Sequence, residues 1–392
     1  MRRHAPGFTL IEMVIVLIVI GLLTAGSAPL IVRQFSTAMA QRDRQALDNA
    51  RIALVNYAIT FGGIPDPLPI DANGGLAPSF TYKTTEAAAK VVGLMPPADV
   101  NTYAVPAFGV NNAGVNGGMT STRYVFRLDV NDHLKASYIH WLSEGSVSTY
   151  DTYLSNNSSS SNSTQIAAHQ EGDRVIFCQV VSEQMALQAA ANGPRICQDT
   201  QSRTVGASTT ACASTIPAAM VLMSLGSNRR ADQENDDPTV SANALKSNRI
   251  YENDSRGINN TPGNDQYDDQ VMSYPLSAFA RDCREKMAIA PEAMSCQPGY
   301  KYVGAITNNF TTALNYAFNR PTAPPATPTP PALPGTGTAQ PNATIIINAC
   351  LYRSDTLTVG VTTQTNNVAA MDKNNDGRVD IMLTSASGAT SQ

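Results

Sequence analysis

Apolar side chains run almost without a break over residues 8–28. About 20 residues of α-helix rise roughly 30 Å, which matches the hydrocarbon thickness of a bilayer. The pattern therefore predicts a transmembrane helix over this range. Arg2 and Arg3 precede the run, and basic residues before a first helix favour a cytoplasmic N-terminus with the rest of the chain outside.

After Pro29 the apolar residues become periodic, with Arg and Gln between them. They are Ile31, Phe35, Leu47, Ile52, Leu54, Val55 and Ile59. This spacing predicts an amphipathic helix over residues 29–61. Gly62, Gly63 and Pro65 follow, and these residue types are expected to end it.

Beyond this helix, short runs rich in β-branched and aromatic residues alternate with polar stretches and predict strands. The runs are 123–130, 174–181, 219–225, 344–352, 357–363 and 378–383. We therefore expect an α+β fold, in which a long N-terminal helix packs on a loop-rich, disulfide-containing antiparallel β head. The head is predicted over residues 62–319.

Residues 320–341 are rich in Pro and Thr and predict an extended linker. The piece that follows, residues 342–392, is a β segment with an acidic loop and is too small to hold a large core alone. It contains Cys350, which would need a partner earlier in the chain if it is oxidised. We therefore expect this segment to fold back on the head.

Charge and cysteine content agree with an exported protein. The chain has 27 basic and 31 acidic residues, and loss of Arg2 and Arg3 with a leader would leave 25 against 31. Such a chain offers no strongly basic face for phosphates, so no nucleic-acid partner is expected. An even number of cysteines favours disulfides in an oxidising compartment, with the connectivity open. The candidates are Cys178, Cys197, Cys212, Cys283, Cys296 and Cys350, and without a CxxC spacing they do not predict zinc.

Glu12 lies inside the apolar run, where an ionised carboxylate that faced lipid would be costly. Two cleavage sites fit the run. A secretory signal would be cut after it, at the small residues 25–28, whereas a cut between Gly7 and Phe8 would remove only the basic leader. The stretch GFTLIE, residues 7–12, resembles the class III signal of type IV pilins and type II secretion pseudopilins, which have Gly, Phe and Glu at these positions.

The resemblance implies a leader peptide at residues 1–7, which a prepilin peptidase removes before it methylates Phe8. It implies a single-pass inner-membrane protein with a periplasmic head, which an inner-membrane assembly platform moves into a periplasmic or extracellular filament. In that filament the Glu12 carboxylate would pair with the Phe8 amine of a neighbouring subunit, so that two buried charges compensate each other. The alternative is a signal anchor with an acid near its membrane edge.

A second resemblance, to large pilin-like proteins of the same superfamily, covers residues 218–236 and 264–279. Such proteins carry an apolar strand that ends in a Ser-x-Gly-x-Asn turn, then acidic loops and an aromatic-Asp-Asp strand. The matching positions are Ser224, Gly226, Asn228, Glu234, Asn235, Tyr267, Asp268 and Asp269. A solvated acidic loop is the alternative.

Residues 371–381, MDKNNDGRVDI, place oxygen ligands at the spacing of an EF-hand-type calcium loop. The candidate ligands are Asp372, Asn374, Asp376, the carbonyl of Arg378, and Asp380. Gly377 would permit the sharp turn, but Leu383 stands where a bidentate Glu would belong, so we expect a weak, β-flanked calcium site. The alternative is a tight Asn-Asp-Gly hairpin turn between two strands.

No GxSxG, HExxH or GxxxxGK[ST] motif occurs, and with four histidines no convincing triad is evident, so we do not expect an enzyme. Two functional classes remain. The chain is either a structural subunit of a type IV pilus or type II secretion filament, or a module at a filament tip that binds a surface or a secreted substrate. A large head packs less easily in many copies, which favours a minor subunit. An anchored enzyme that shares only the signal is a third class.

Overall fold

The computed structural model covers the N-terminal helix and much of the head. The residues that it describes are 10–66, 93–94, 126–144, 150, 152, 173–187, 193–197, 214–224, 249–252, 270–321, 330–360, 362–385 and 388–391. The chain divides into two compact units, Met1–Ala46 and Leu47–Gln392.

Helix α1 extends over Leu10–Phe61, a length of 52 residues, and continues through Pro29. It ends where the sequence predicted. Gly62 adopts a positive φ of 72° and donates its amide to the Ala58 carbonyl over 2.8 Å, which is a common way to end a helix. In the described part of the chain no helix is both long enough and apolar enough to cross a membrane, so the predicted span at 8–28 is not confirmed.

The last turns of α1 contribute to the core of the second unit. Leu47, Leu54 and Val55 are buried there, as the helical pattern predicted. Ile52 was counted on the same apolar face, and this is wrong, because its side chain is 46% exposed. Two residues turn a helix by about 200°, so Ile52 lies on nearly the opposite side from Leu54.

The first sheet of the second unit is built around one long strand. Its strands are β1 (Gly93–Leu94), β2 (Phe126–Val130), β3 (Arg195–Cys197), β4 (Thr215–Ser224), β5 (Ile250–Glu252) and β6 (Gln270–Pro275). The order is β1-β2-β4-β3-β5, and β6 also pairs with β4. The strand predicted at 219–225 is therefore confirmed as the centre of this sheet, and the run at 123–130 is a strand over its described residues.

Three helices of nine or more residues in the described part of the second unit were not predicted. They are α2 (Ala136–Glu144), α3 (Arg174–Leu187) and α4 (Leu276–Glu285). The strand predicted at 174–181 is wrong, because these residues begin α3. The run is apolar on every side, and a fully buried helix and a buried strand have the same pattern over so few residues.

Local hydrogen bonds explain why this run is helical. The Asp173 carboxylate accepts the amides of Val175 and Ile176, at 2.9 and 3.1 Å, and so caps the N-terminus of α3. Within the helix, the buried Gln179 amide donates to the Tyr300 carbonyl over 2.6 Å, and its oxygen accepts the Gly299 amide over 3.0 Å. The helix is thereby joined to the C-terminal part of the unit.

The C-terminal part consists of two four-stranded sheets. Their strands are β7 (Tyr300–Asn308), β8 (Leu314–Asn319), β9 (Gly337–Ala339), β10 (Thr344–Tyr352), β11 (Thr356–Val359), β12 (Thr362–Asn367), β13 (Arg378–Ser385) and β14 (Gly388–Ser391). One sheet has the order β10-β7-β13-β14 and the other β12-β11-β8-β9. Their apolar side chains form one core, which includes Val303, Leu351, Val379, Phe318 and Leu357.

The predicted fold-back of residues 342–392 is present, since β10 and β13 both pair with β7. Segments on either side of residues 320–341 therefore share the same two sheets, and β9 lies within that range. The strand predictions at 344–352 and 378–383 are confirmed. The run at 357–363 is divided at Gly360, which has a φ of 61°, into the hairpin β11–β12.

The predicted antiparallel pairing does not hold for two strand pairs, because β13 pairs parallel with β7 and β3 pairs parallel with β5. Strand pairing of this kind is fixed by tertiary packing rather than by a turn between neighbours, so no local sequence signal marks it.

Two disulfides are defined in the second unit. Cys178 on α3 is bonded to Cys283 on α4, and Cys296 is bonded to Cys350 on β10. Cys197 is also disulfide-bonded, and the described residues include no free cysteine. Cys212 lies outside the described residues. The disulfides agree with the oxidising compartment that the even cysteine count predicted.

Candidate functional site

The predicted processing and assembly residues lie at the N-terminus. Gly7 and Phe8 fall outside the described residues, and Glu12 lies in the first turn of α1. The large apolar side chains from Leu10 to Ile20 are between 44% and 84% exposed. A helix that is apolar on all sides needs either lipid or other helices around it, so this segment is suited to burial in a membrane or in a helical bundle.

The predicted calcium loop joins a short helix, α5 (Val368–Met371), to β13. The expected strands on both sides of a calcium loop are therefore wrong, and so is the alternative of a hairpin between two strands. The loop does contain the left-handed backbone that its Asn and Gly residues favour, with φ of 51° at Asn375 and 83° at Gly377.

The loop carboxylates are held by groups of the protein. Asp372 is buried, and its Oδ2 accepts the Lys301 ammonium over 2.7 Å. Asp376 Oδ1 accepts the Arg378 amide over 2.9 Å, and Asp380 Oδ2 accepts Arg378 Nε over 2.9 Å. Among the described residues, no group of three or more His, Cys, Asp and Glu side chains is arranged to hold a metal ion. Calcium binding stays a prediction.

A second charged cluster, which the sequence did not reveal, joins β2 to the residue before β5. Arg249 Nε lies 3.1 Å from both carboxylate oxygens of Asp129, and Arg249 Nη1 lies 2.6 Å from Asp132 Oδ2. Lys135 Nζ lies 3.0 Å from the other Asp132 oxygen, and Tyr251 donates to Asp129 Oδ2 over 2.7 Å. Two cations thus balance two carboxylates in the interior.

The interior location of this cluster changes its proton affinities. Burial alone would lower the pKa of Arg249, but the Asp129 and Asp132 carboxylates outweigh it and raise that pKa. Burial, and then the adjacent Asp129 charge, raises the pKa of the Tyr251 phenol well above its ordinary value. Each carboxylate is engaged by a cation, so the cluster is suited to holding strands together rather than to proton transfer.

Comparison with known families gives one match, to residues 2–28. The matching family is described as the prokaryotic N-terminal methylation motif. The chain carries the class III signal of type IV pilins and pseudopilins. The matched range contains Gly7, Phe8 and Glu12, so the motif implies processing by a prepilin peptidase and assembly with other pilin subunits.

The methylation motif does not extend into the head, because it ends at residue 28. No curated protein matches the chain, and no solved structure matches it. Of the second resemblance, Ser224 is described and ends β4, where an apolar strand was expected to stop. The other matching positions are outside the described residues.

Proposed function

We propose that the chain is a large filament subunit, a minor pilin or pseudopilin of a type IV pilus or a type II secretion system. The observation that carries this proposal is the methylation motif at residues 2–28, which overlaps the first turns of the 52-residue helix α1. A prepilin peptidase cuts between Gly7 and Phe8 and methylates the new N-terminus. An inner-membrane assembly platform then moves the subunit into the filament.

The exposed apolar surface of α1 supports this route. Before assembly the side chains around Leu10–Ile20 are covered by lipid, and the head is in the periplasm. In the filament the same surface packs against the helices of neighbouring subunits. The apolar surface of α1 is covered by apolar groups both in lipid and among the helices of a filament. Transfer from membrane to filament therefore changes its hydrophobic free energy little.

Glu12 supplies the specificity of that packing. Its carboxylate meets the Phe8 amine of a neighbouring subunit, and the pair is more favourable in an apolar core than either charge alone. A subunit whose neighbour lacks the free amine would leave Glu12 without this partner. Cleavage must therefore precede assembly.

The decisive experiment is mass spectrometry of the N-terminal peptide of the mature protein from its native host. The expected peptide begins with N-methylated Phe8. Gly7→Leu should block the cut, because the site before the scissile bond accepts only a small side chain, and Gly7→Ala serves as the matched control that should still be cut. A mature start near Ser27 would overturn the proposal in favour of a secretory signal.

The second candidate function is a module at the filament tip that binds a surface or a secreted substrate. It is favoured by the two additional β-sheets of the C-terminal part, which enlarge the head and make side-by-side packing in many copies harder. The ratio of this chain to the most abundant subunit in purified filaments separates the two. A ratio that corresponds to about one copy of this chain per filament supports a location at the tip. A ratio that corresponds to many copies per filament supports a structural subunit.

A further inference from the structure

The loop between α5 and β13 encloses a buried ion pair. Lys301 Nζ on β7 lies 2.7 Å from Asp372 Oδ2 at the start of the loop. The two side chains are 8% and 0% exposed. Because a charge in such surroundings is costly unless it is paired, each group depends on the other.

Backbone amides complete the coordination of this carboxylate. Asp372 Oδ1 accepts the amide of Asp376 over 3.2 Å, and Oδ2 also accepts the amide of Gly377 over 3.0 Å. Both oxygens of the first predicted calcium ligand are therefore directed at an ammonium group and at the loop's own amides. A divalent cation would have to displace Lys301 to reach Oδ2.

The other end of the predicted ligand set lies on the opposite face of the sheet. Lys301 and Tyr302 are neighbours on β7, and neighbouring residues of a strand point to opposite faces. The Arg378 guanidinium lies 6.0 Å from the centre of the Tyr302 ring and binds Asp380. Asp380 is thus on the Tyr302 face and Asp372 on the Lys301 face, so the first and last ligands of the calcium pattern do not converge on one ion.

The loop is also where the C-terminal sheets meet α3. The Asp376 carbonyl accepts the amide of Ala290 over 2.9 Å, and the Gly377 carbonyl accepts the amide of Tyr302 over 2.8 Å. A Cβ atom on Gly377 would come within 2.7 Å of the Val175 side chain on α3. Movement of the loop would therefore disturb both the β7–β13 pair and the packing of that pair on the helix.

We propose that the Lys301 ammonium is the resident cation of this loop. It takes the place that the Asp-x-Asn-x-Asp-Gly spacing offers to calcium, and it fixes the loop between β7, β13 and α3. This loop then needs no divalent cation for its fold. The loop keeps the residue spacing of a calcium site, while the protein's own Lys301 neutralises the charge of Asp372.

The test is thermal unfolding of the full-length protein in detergent, with added calcium chloride or with EGTA. The expected result for the wild type is the same Tm in both conditions. Lys301→Met should lower the Tm by about 10 °C, because a buried carboxylate loses its counter-charge. Lys373→Met is the matched control, since Lys373 is an exposed lysine of the same loop, and its Tm should stay within about 2 °C of the wild type.

A double substitution keeps the test decisive if Lys301→Met alone does not fold. Lys301→Met combined with Asp372→Asn removes both charges and keeps one side-chain oxygen for the loop amides, so it should recover part of the lost Tm, because no unpaired charge remains. A calcium-dependent rise in the wild-type Tm that Asp376→Ala abolishes would overturn the proposal. Strictly additive losses for Lys301→Met and Asp372→Asn would overturn it as well.

Discussion

Arg249 and Asp129 form a buried ion pair across 120 residues of sequence, with Arg249 Nε 3.1 Å from both carboxylate oxygens. Removal of the guanidinium would leave the Asp129 and Asp132 charges with fewer partners in the interior. We expect Arg249→Met to lower the free energy of unfolding by about 3–5 kcal/mol. Urea unfolding of the full-length protein in detergent measures this loss.

An exposed ion pair of the same unit provides the control. Arg281 Nε lies 3.9 Å from Glu285 Oε2 on α4, and both side chains are mostly exposed. Arg281→Met should cost only about 0.3–0.5 kcal/mol, because water screens this pair. Equal losses for the two Arg→Met variants would mean that burial does not determine the contribution of Arg249.

Tyr251 should make the head sensitive to alkali. Its pKa is raised in the folded state by burial and by Asp129, so above its ordinary value of 10.0 the unfolded chain loses the phenol proton while the folded chain keeps it. Stability present below pH 10 is therefore lost as the pH rises, by about 1.4 kcal/mol per pH unit for this group.

Tyr251→Phe removes this group's contribution to the change of the free energy of unfolding with pH. At neutral pH the variant should be less stable by about 1–2 kcal/mol, since the hydrogen bond to Asp129 is lost. Above pH 10 the difference in free energy of unfolding between the variant and the wild type should become smaller with each further pH unit. Urea unfolding at neutral pH and at a series of alkaline pH values measures both effects. If the free energies of unfolding of the variant and the wild type fall in parallel above pH 10, the raised pKa of Tyr251 is contradicted.

Replacement of Glu12 should separate membrane insertion from assembly. Glu12→Leu makes the helix more apolar, so insertion is expected to be unchanged, but incorporation into filaments should fall because the Phe8 amine of a neighbour loses its partner. Thr24→Leu, which also adds an apolar side chain, is the control and should assemble normally. Membrane fractionation and quantification of sheared filaments give the two readouts. Normal incorporation of Glu12→Leu would mean that the charge is incidental or that the subunit is at the tip.

The two defined disulfides should each stabilise the head. Cys178 and Cys283 are separated by 105 residues, and Cys296 and Cys350 by 54 residues, so both bonds restrict long loops of the unfolded chain. Replacement of either pair by alanine should cost about 2–4 kcal/mol. Thiol titration of denatured protein from the periplasm should find no free thiol on these residues, and reactive thiols at any of them would contradict the assigned pairs.

The sequence predicted those elements whose signal lies within one short stretch of the chain. The end of α1 at Phe61 agrees with the Gly and Pro residues that follow it, and the strands β4, β10 and β13 agree with their runs of apolar and β-branched residues. Helix α3 was missed because its first turns, residues 175–181, are buried on all sides and show no period, and its capping residue, Asp173, is a single residue before the run.

The charged contacts could not be predicted, for a different reason. Lys301 reaches Asp372 across 71 residues, and Arg249 reaches Asp132 across 117 residues. No spacing rule connects residues so far apart. The calcium pattern was visible because it is local, whereas the lysine that neutralises its first carboxylate is placed there by the pairing of β7 with β13.

The central position of β13 determines the order in which the C-terminal sheets can form. Strand β7 pairs with β10 on one side and with β13 on the other, so its second neighbour is synthesised more than 60 residues after β7 itself. Until residues 378–385 are available, one edge of β7 has no partner, and the apolar face that receives Val379 and Ile381 is exposed to water. A stop codon before residue 378 would make this exposure permanent.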